Sequence, residues 1–375
     1  MSIGLKACMM NMYLTLIPLT LPQIKRKKSL VEVIHINWNH ISRRNIMTDS
    51  EITLTRPSNK RDNRIDVLRG MAILLVVLEH ALGSSLVEVQ DVILAFHMPL
   101  FFMISGYLAK DSSEQKFGTV LLKKVRTILL PNVVLGVISY AYDYVITYKL
   151  LGGGTGYPSL WDAFFGYWFL LVLFQVAVLW EIFIRLKINI RVFKFILLVV
   201  ATVYTFIIPT GTRGFLYVAV TPVAFGFYVL GNIIKDYNLS RKVNIWLTVP
   251  TAVALVIVAL YNDRVLMYCN QYGYVVLFIL TSLLGAFILN QLSYRLTDIK
   301  PLQWLGMNSI IIYVLHFSIV QGTRGVLVRL LPINTENPIM GLMAFAIGFT
   351  VTILASMFCS RYLGFLFGKP FKRRQ

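Results

Sequence analysis

The chain contains ten apolar runs of about 17 to 25 residues, the length an α-helix needs to cross a bilayer. They fall at Ile65–Leu82, Asp91–Ala109, Thr127–Thr147, Asp162–Ile184, Val192–Ile208, Gly214–Ile234, Val243–Tyr261, Tyr272–Asn290, Leu302–Val320 and Pro338–Phe358. In lipid every backbone N–H and C=O has to be bonded within its own segment, so such runs fold as helices. The expected fold is all-α: a polytopic integral membrane protein, a bundle of about ten transmembrane helices. Composition agrees, with 57% apolar and 14% charged residues, where soluble domains carry roughly half and a quarter. Pro99, Pro131, Pro222 and Pro250 fall inside runs, where neighbouring helices can accommodate them. The three cysteines, Cys8, Cys269 and Cys359, are too scattered for a disulfide framework or a metal site.

The net charge of +19 would suggest nucleic acid on a soluble protein, but its placement gives another reason. With a cytoplasmic N-terminus, 30 of the 36 Lys and Arg fall in inside segments and five in outside loops, while Arg69 lies within the first run. That asymmetry places both termini in the cytoplasm of a multi-pass protein of the cell (inner or plasma) membrane, and removes nucleic acid as a partner.

Residues 1–60 form a polar and basic segment ahead of a transmembrane domain over 61–375. Within the first segment Met9–Leu21 is apolar but too short to span, and its charged run Lys25–Lys28 follows it, the reverse of a signal peptide. Met47 offers an alternative start, and the upstream stretch is read as a disordered tail or a mis-called beginning.

Ionisable groups inside a span are expensive and mark functional sites by default. The first run holds Asp66, Arg69 and His80. Arg69 and His80 are eleven residues apart, which is three helical turns plus about 20°, so both project from one face roughly 16 Å apart. Asp66, three residues before Arg69, shares that face and is close enough to pair with it. A histidine in a water-poor cavity suits a general base for a hydroxyl. The structural alternative is a snorkelling Arg69–Asp66 pair with His80 bonded to a neighbouring helix, and the alignment of three such groups favours chemistry. His97 and His316 are read as structural hydrogen-bonders, and Asp143 and Glu181 as charges near span ends. Lys123, Lys124 and Arg126 lead into the third run, where they suit either anionic lipid or a polyphosphate ligand. The outer LGGGTGYP stretch lacks a P-loop lysine and is a flexible turn.

RIDVLRGMAILLVVLEH resembles the first-helix signature of membrane acyltransferase family 3, the O-acyltransferases of bacterial surface polysaccharides and similar acceptors. Asp66, Arg69 and His80 stand at its three positions. FHMPLFFMISGYL is similar to the second-helix stretch, with Phe102, Ser105 and Gly106 matching. LLKKVRTILLP resembles the basic motif before the third helix, with Arg126 matching and Lys123 where an arginine is usual. YWFLLVLF and LGMNSIIIYVLHF resemble two later segments. The resemblance implies an acyl-coenzyme A donor, most simply acetyl-CoA, entering from the cytoplasm with its phosphates near Lys123, Lys124 and Arg126 and with Ser105 on the same side. It implies a saccharide or glycolipid acceptor whose hydroxyl is deprotonated by His80, membrane lipid as surroundings, and no metal. A polysaccharide-precursor transporter or flippase is the alternative, since it too is a bundle with buried charge, but paired half-chain repeats are not evident. A non-catalytic scaffold leaves the aligned Asp66, Arg69 and His80 without a reason.

Overall fold

The computed structural model describes residues 61–142, 144, 145, 149, 167–186 and 189–364. The N-terminal segment with Met47, Asp143, the LGGGTGYP turn, Asp162 and the final basic run after position 364 lie outside the described residues. The described helices belong to one unit beginning at Asp62. In chain order they are α1 (Asn63–Leu82), α2 (Val87–Leu94), α3 (His97–Tyr107), α4 (Phe117–Lys124), α5 (Leu130–Tyr142), α6 (Trp168–Phe183) and α7 (Ile190–Ile207). There follow α8 (Thr221–Asp236), α9 (Ile245–Tyr261), α10 (Val275–Arg295), α11 (Lys300–Met307), α12 (Ser309–Leu330) and α13 (Pro338–Tyr362). An isolated antiparallel bridge, Leu266 to Gln271, is the extended pairing among the described residues.

Length and apolarity together make membrane-crossing helices of six segments among the described residues: 87–107, α7, 215–236, α10, α12 and α13. α6 and α9 are apolar but shorter. α1 is 20 residues long, yet Arg64, Asp66, Arg69 and Glu79 set it apart from the six by charge. The protein is thus a multi-pass helical membrane protein, and its ten apolar runs are built less uniformly than their sequence suggests.

Prolines explain most of that irregularity. The second run breaks at Ala95–Phe96, so Pro99 sits in the first turn of α3, where its missing N–H would be unbonded anyway. Pro131 lies in the first turn of α5, just after a π-helical turn over Val125–Leu129. Pro222 opens α8 after a 3₁₀ segment, Phe215–Val220. Of the four, Pro250 alone stands in a helix interior, in α9. The ninth run, expected at Leu302–Val320, divides at Asn308 into α11 and α12, and the Asn308 amide donates to the Trp304 carbonyl at 2.9 Å. Side-chain caps fix other starts. Asp62, Asn189, Asn244 and Asn337 each accept from a backbone N–H in the first turn of α1, α7, α9 and α13.

The Asp62 cap starts α1 before Arg64, which the sequence reading counted as a loop cation. Arg64 is instead buried in the helix, donating to Ser240 Oγ at 3.0 Å and Asn290 Oδ1 at 2.7 Å, with its guanidinium 4.6 Å from the Tyr294 ring.

α1 is the centre of the bundle and packs against α2, α3, α10, α11, α12 and α13. The periphery is apolar and faces outward: Val199, Val200 and Ile207 of α7, and Trp246 and Ile257 of α9, are each more than half exposed. In water such a surface would aggregate; in a bilayer it is the lipid contact. Two helix crossings are held at backbone distance by paired glycines. A Cβ on Gly70 would overlap the Leu302 carbonyl and one on Gly306 the Asp66 carbonyl, which sets α1 against α11. Gly106 and Gly231 make the equivalent contacts with Tyr228 and Met103, setting α3 against α8.

Gly231→Val is expected to destabilise the bundle by about 3 kcal/mol or more, because the obstructing atoms are backbone and cannot swing away. Gly118→Ala, at a position where a Cβ meets nothing, is expected to be neutral. Thermal unfolding of the two variants in detergent measures the difference.

Candidate active site

α1 carries Arg69 to the wall of a cavity of about 490 Å³ between α1, α3, α4, α6 and α12. The guanidinium donates to Ser309 Oγ at 2.7 Å, so the first residue of α12 orients it. Ser105 of α3 lines the same cavity, with its hydroxyl bonded to the Phe101 carbonyl one turn back at 2.8 Å. Lys110, Lys123 and Lys124 complete a wall of four cationic side chains with one carboxylate, Glu181. A cluster of this sign in a part-apolar cavity gives a potential that attracts anions.

Glu181 is a buried anchor of that wall. Its carboxylate lies 3.1 Å from Lys124 Nζ and 2.6 Å from Arg185 Nη1, and accepts from the Ser112 hydroxyl. Arg185 also donates to the Ser112 carbonyl at 2.8 Å and the Gln115 carbonyl at 3.1 Å, which ties the loop after α3 to the end of α6. Lys123 and Arg126 are exposed, and Arg126 lies in the π-helical turn without lining the cavity. In the same loop Asp111 is held below the usual carboxylate range, chiefly by hydrogen bonds from Ser113. Asp66 is buried where α1 crosses α11 and does not line the cavity.

His80 lies beyond the cavity. The last α1 residue on the cavity wall is Ile73, seven residues earlier, or about 10 Å along the axis. Aromatic rings occupy the space between. Phe169 and Tyr313 line the cavity with centroids 5.2 Å apart, Tyr313 is 5.8 Å from the His316 ring, and His316 is 5.0 Å from the His80 ring. His316 is fully buried, and its Nδ1 lies 2.6 Å from the Tyr313 carbonyl. A carbonyl only accepts, so the proton is on Nδ1 and Nε2 keeps its lone pair, with no hydrogen-bond partner among the described residues. The His80 side chain is about one-third exposed, and its other ring neighbour is Phe317 at 5.3 Å. His97 is buried, with Nδ1 2.8 Å from the Ile93 carbonyl.

The model of the family-3 acyltransferase domain matches residues 62–361, from the N-cap of α1 to the last turn of α13. The chain belongs to acyltransferase family 3. No curated protein matches it. Membership makes membrane acyltransferase activity the frame for the geometry above.

Of the residues singled out by sequence, the structure brings Arg69, Ser105, Lys123 and Lys124 to one cavity and leaves Asp66, His80 and Arg126 outside it. Sequence reasoning missed Ser309, Glu181 as a bridging carboxylate, and His316 as the ring neighbour of His80. A glutamate and a histidine at membrane depth were the available signals.

Glu181→Ala is expected to lower stability by about 2 to 3 kcal/mol, since Lys124 and Arg185 then stay part-buried without their carboxylate. Lys123→Ala, at an exposed position, is expected to change it by less than about 0.5 kcal/mol. Denaturation midpoints of the purified variants give the comparison.

Proposed function

We propose that the protein is an integral-membrane O-acyltransferase that moves an acetyl group from cytoplasmic acetyl-CoA to a hydroxyl of a cell-surface or lipid-linked saccharide. The observation that carries the reading is a single helix, α1, with Arg69 in a cation-walled cavity and His80 on the same face some three turns further along. A donor with an anionic head and an uncharged reactive tail matches this arrangement. Its phosphates face Lys110, Lys123 and Lys124, and Arg69 lies deeper, where Ser309 holds it. The distribution of basic loops supports a cytoplasmic position for that end, with His80 towards the outer face.

At the His80 end the acceptor hydroxyl gives its proton to the imidazole as its oxygen attacks the acyl carbon. The C–O ester bond forms, the C–S bond breaks, and the departing thiolate takes a proton back from the imidazolium. The Phe169–Tyr313–His316 layer separates this end from the phosphate end, so the donor's tail has to pass the Tyr313 ring.

With acetyl-labelled CoA supplied to membranes, label is expected in a glycan or lipid fraction with the wild type. His80→Ala is expected to lose at least about 100-fold of that transfer at unchanged protein level. Full activity in His80→Ala overturns the base, and no label with either protein overturns the donor. Lys123→Ala is expected to raise KM for acetyl-CoA about tenfold with little change in kcat, which an initial-rate series at low salt resolves.

A further inference from the structure

His80 has a carboxylate beside it that neither the family signature nor the cavity accounts for. Glu79 Oε2 lies 3.3 Å from His80 Nε2. Adjacent residues of a helix point about 100° apart and do not ordinarily face each other, so this contact needs both side chains turned towards one another. Glu79 is held in that attitude from its far side. Its Oε1 accepts from Gln90 Nε2 at 2.8 Å, and the same amide nitrogen reaches the Glu79 carbonyl at 3.2 Å. Gln90, on α2, is itself fixed through its Oε1 by the Arg264 guanidinium, which also approaches Asp91 at 3.5 Å. Glu79 and Gln90 are both buried, at 4% and 6% exposure. A carboxylate buried at the end of a helix, oriented by a buried amide and turned onto its neighbour's ring, is an expensive arrangement for packing alone.

We propose that Glu79 is the positioning carboxylate of His80. It fixes the imidazole as the Nε2–H tautomer and leaves Nδ1 as the nitrogen that takes the acceptor's proton. The inference rests on the proposed role of His80 as base. Nε2 is the His80 nitrogen within ion-pair distance of the carboxylate, whose charge favours a hydrogen there, and the other nitrogen then keeps its lone pair. When Nδ1 takes the hydroxyl proton, the imidazolium forms against a carboxylate 3.3 Å away and in the last turn of α1, where the helix dipole also favours positive charge. The proton stays on Nδ1 until the thiolate leaves, so Glu79 does not itself transfer a proton. Gln90 and Arg264 act one step further out by keeping the carboxylate in place.

The test uses the full-length protein in membranes and the isosteric variant Glu79→Gln, which keeps an oxygen for the Gln90 amide. At saturating acetyl-CoA, Glu79→Gln is expected to lower kcat at least tenfold with KM for acetyl-CoA within twofold of wild type, and Glu79→Asp to recover part of the loss. Transfer at the wild-type rate in Glu79→Gln, with His80→Ala inactive, overturns the positioning role while leaving the function intact. A second measurement does not depend on the reaction. In ¹⁵N-histidine-labelled protein, with His80 assigned by difference against His80→Ala, the wild-type ring is expected to show a protonated Nε2 and a bare Nδ1. Glu79→Gln is expected to lose that preference. A wild-type ring protonated on Nδ1 overturns the proposal whether or not acetyl transfer is found.

Discussion

A helix carrying Arg64, Asp66, Arg69, Glu79 and His80 can stand in a membrane only if other helices surround it, and that constraint organises the molecule. Lipid offers those groups nothing, so α1 takes the central place and the apolar helices α7 and α9 take the rim. Each polar group then needs a partner supplied by a neighbour. Ser240 and Asn290 serve Arg64, Ser309 serves Arg69, and Gln90 serves Glu79. The paired glycines fix the closest crossings around this centre, with α11 against the backbone of α1 and α3 against that of α8.

The two ends of the site obey different physics. The basic end gathers cations, and Glu181 ties Lys124 and Arg185 together across α4 and α6. The His80 end is held by specific contacts, with Glu79 at 3.3 Å and the His316 ring at 5.0 Å. Between them the rings of Phe169, Tyr313 and His316 form an apolar partition. A layer of packed rings of this kind leaves little room for water between the basic cavity and His80.

Much of this was legible in the sequence because it depends on period and placement along one chain. The 3.6-residue repeat aligned Arg69 with His80, the run lengths indicated a membrane, and the motif residues indicated the family that the match to 62–361 shows. The rest was not legible, for reasons of contact. Nothing in the order of residues says that Ser309 meets Arg69 across 240 positions, or that Glu181 meets Lys124 instead of marking a span end. Prolines misled for a related reason. Pro99, Pro131 and Pro222 fell within apolar runs, yet Pro99 and Pro222 each stand in the first turn of a helix and Pro131 follows directly on a π-helical turn, which only a backbone trace reveals.

The π-helical turn at Val125–Leu129 has a consequence for how the basic motif can be carried at all. A turn with i to i+5 bonding accommodates one residue more than an α-helical turn, which rotates everything after it by about 100° relative to a continuous α-helix. Lys123 and Lys124 therefore look onto the cavity from one side of that turn, while Leu130, Val137 and Ile138 look outward from the other. The turn works as a phase adjuster between a segment that faces the basic cavity and one that faces hydrocarbon, and it lets one nearly continuous rod serve two surroundings.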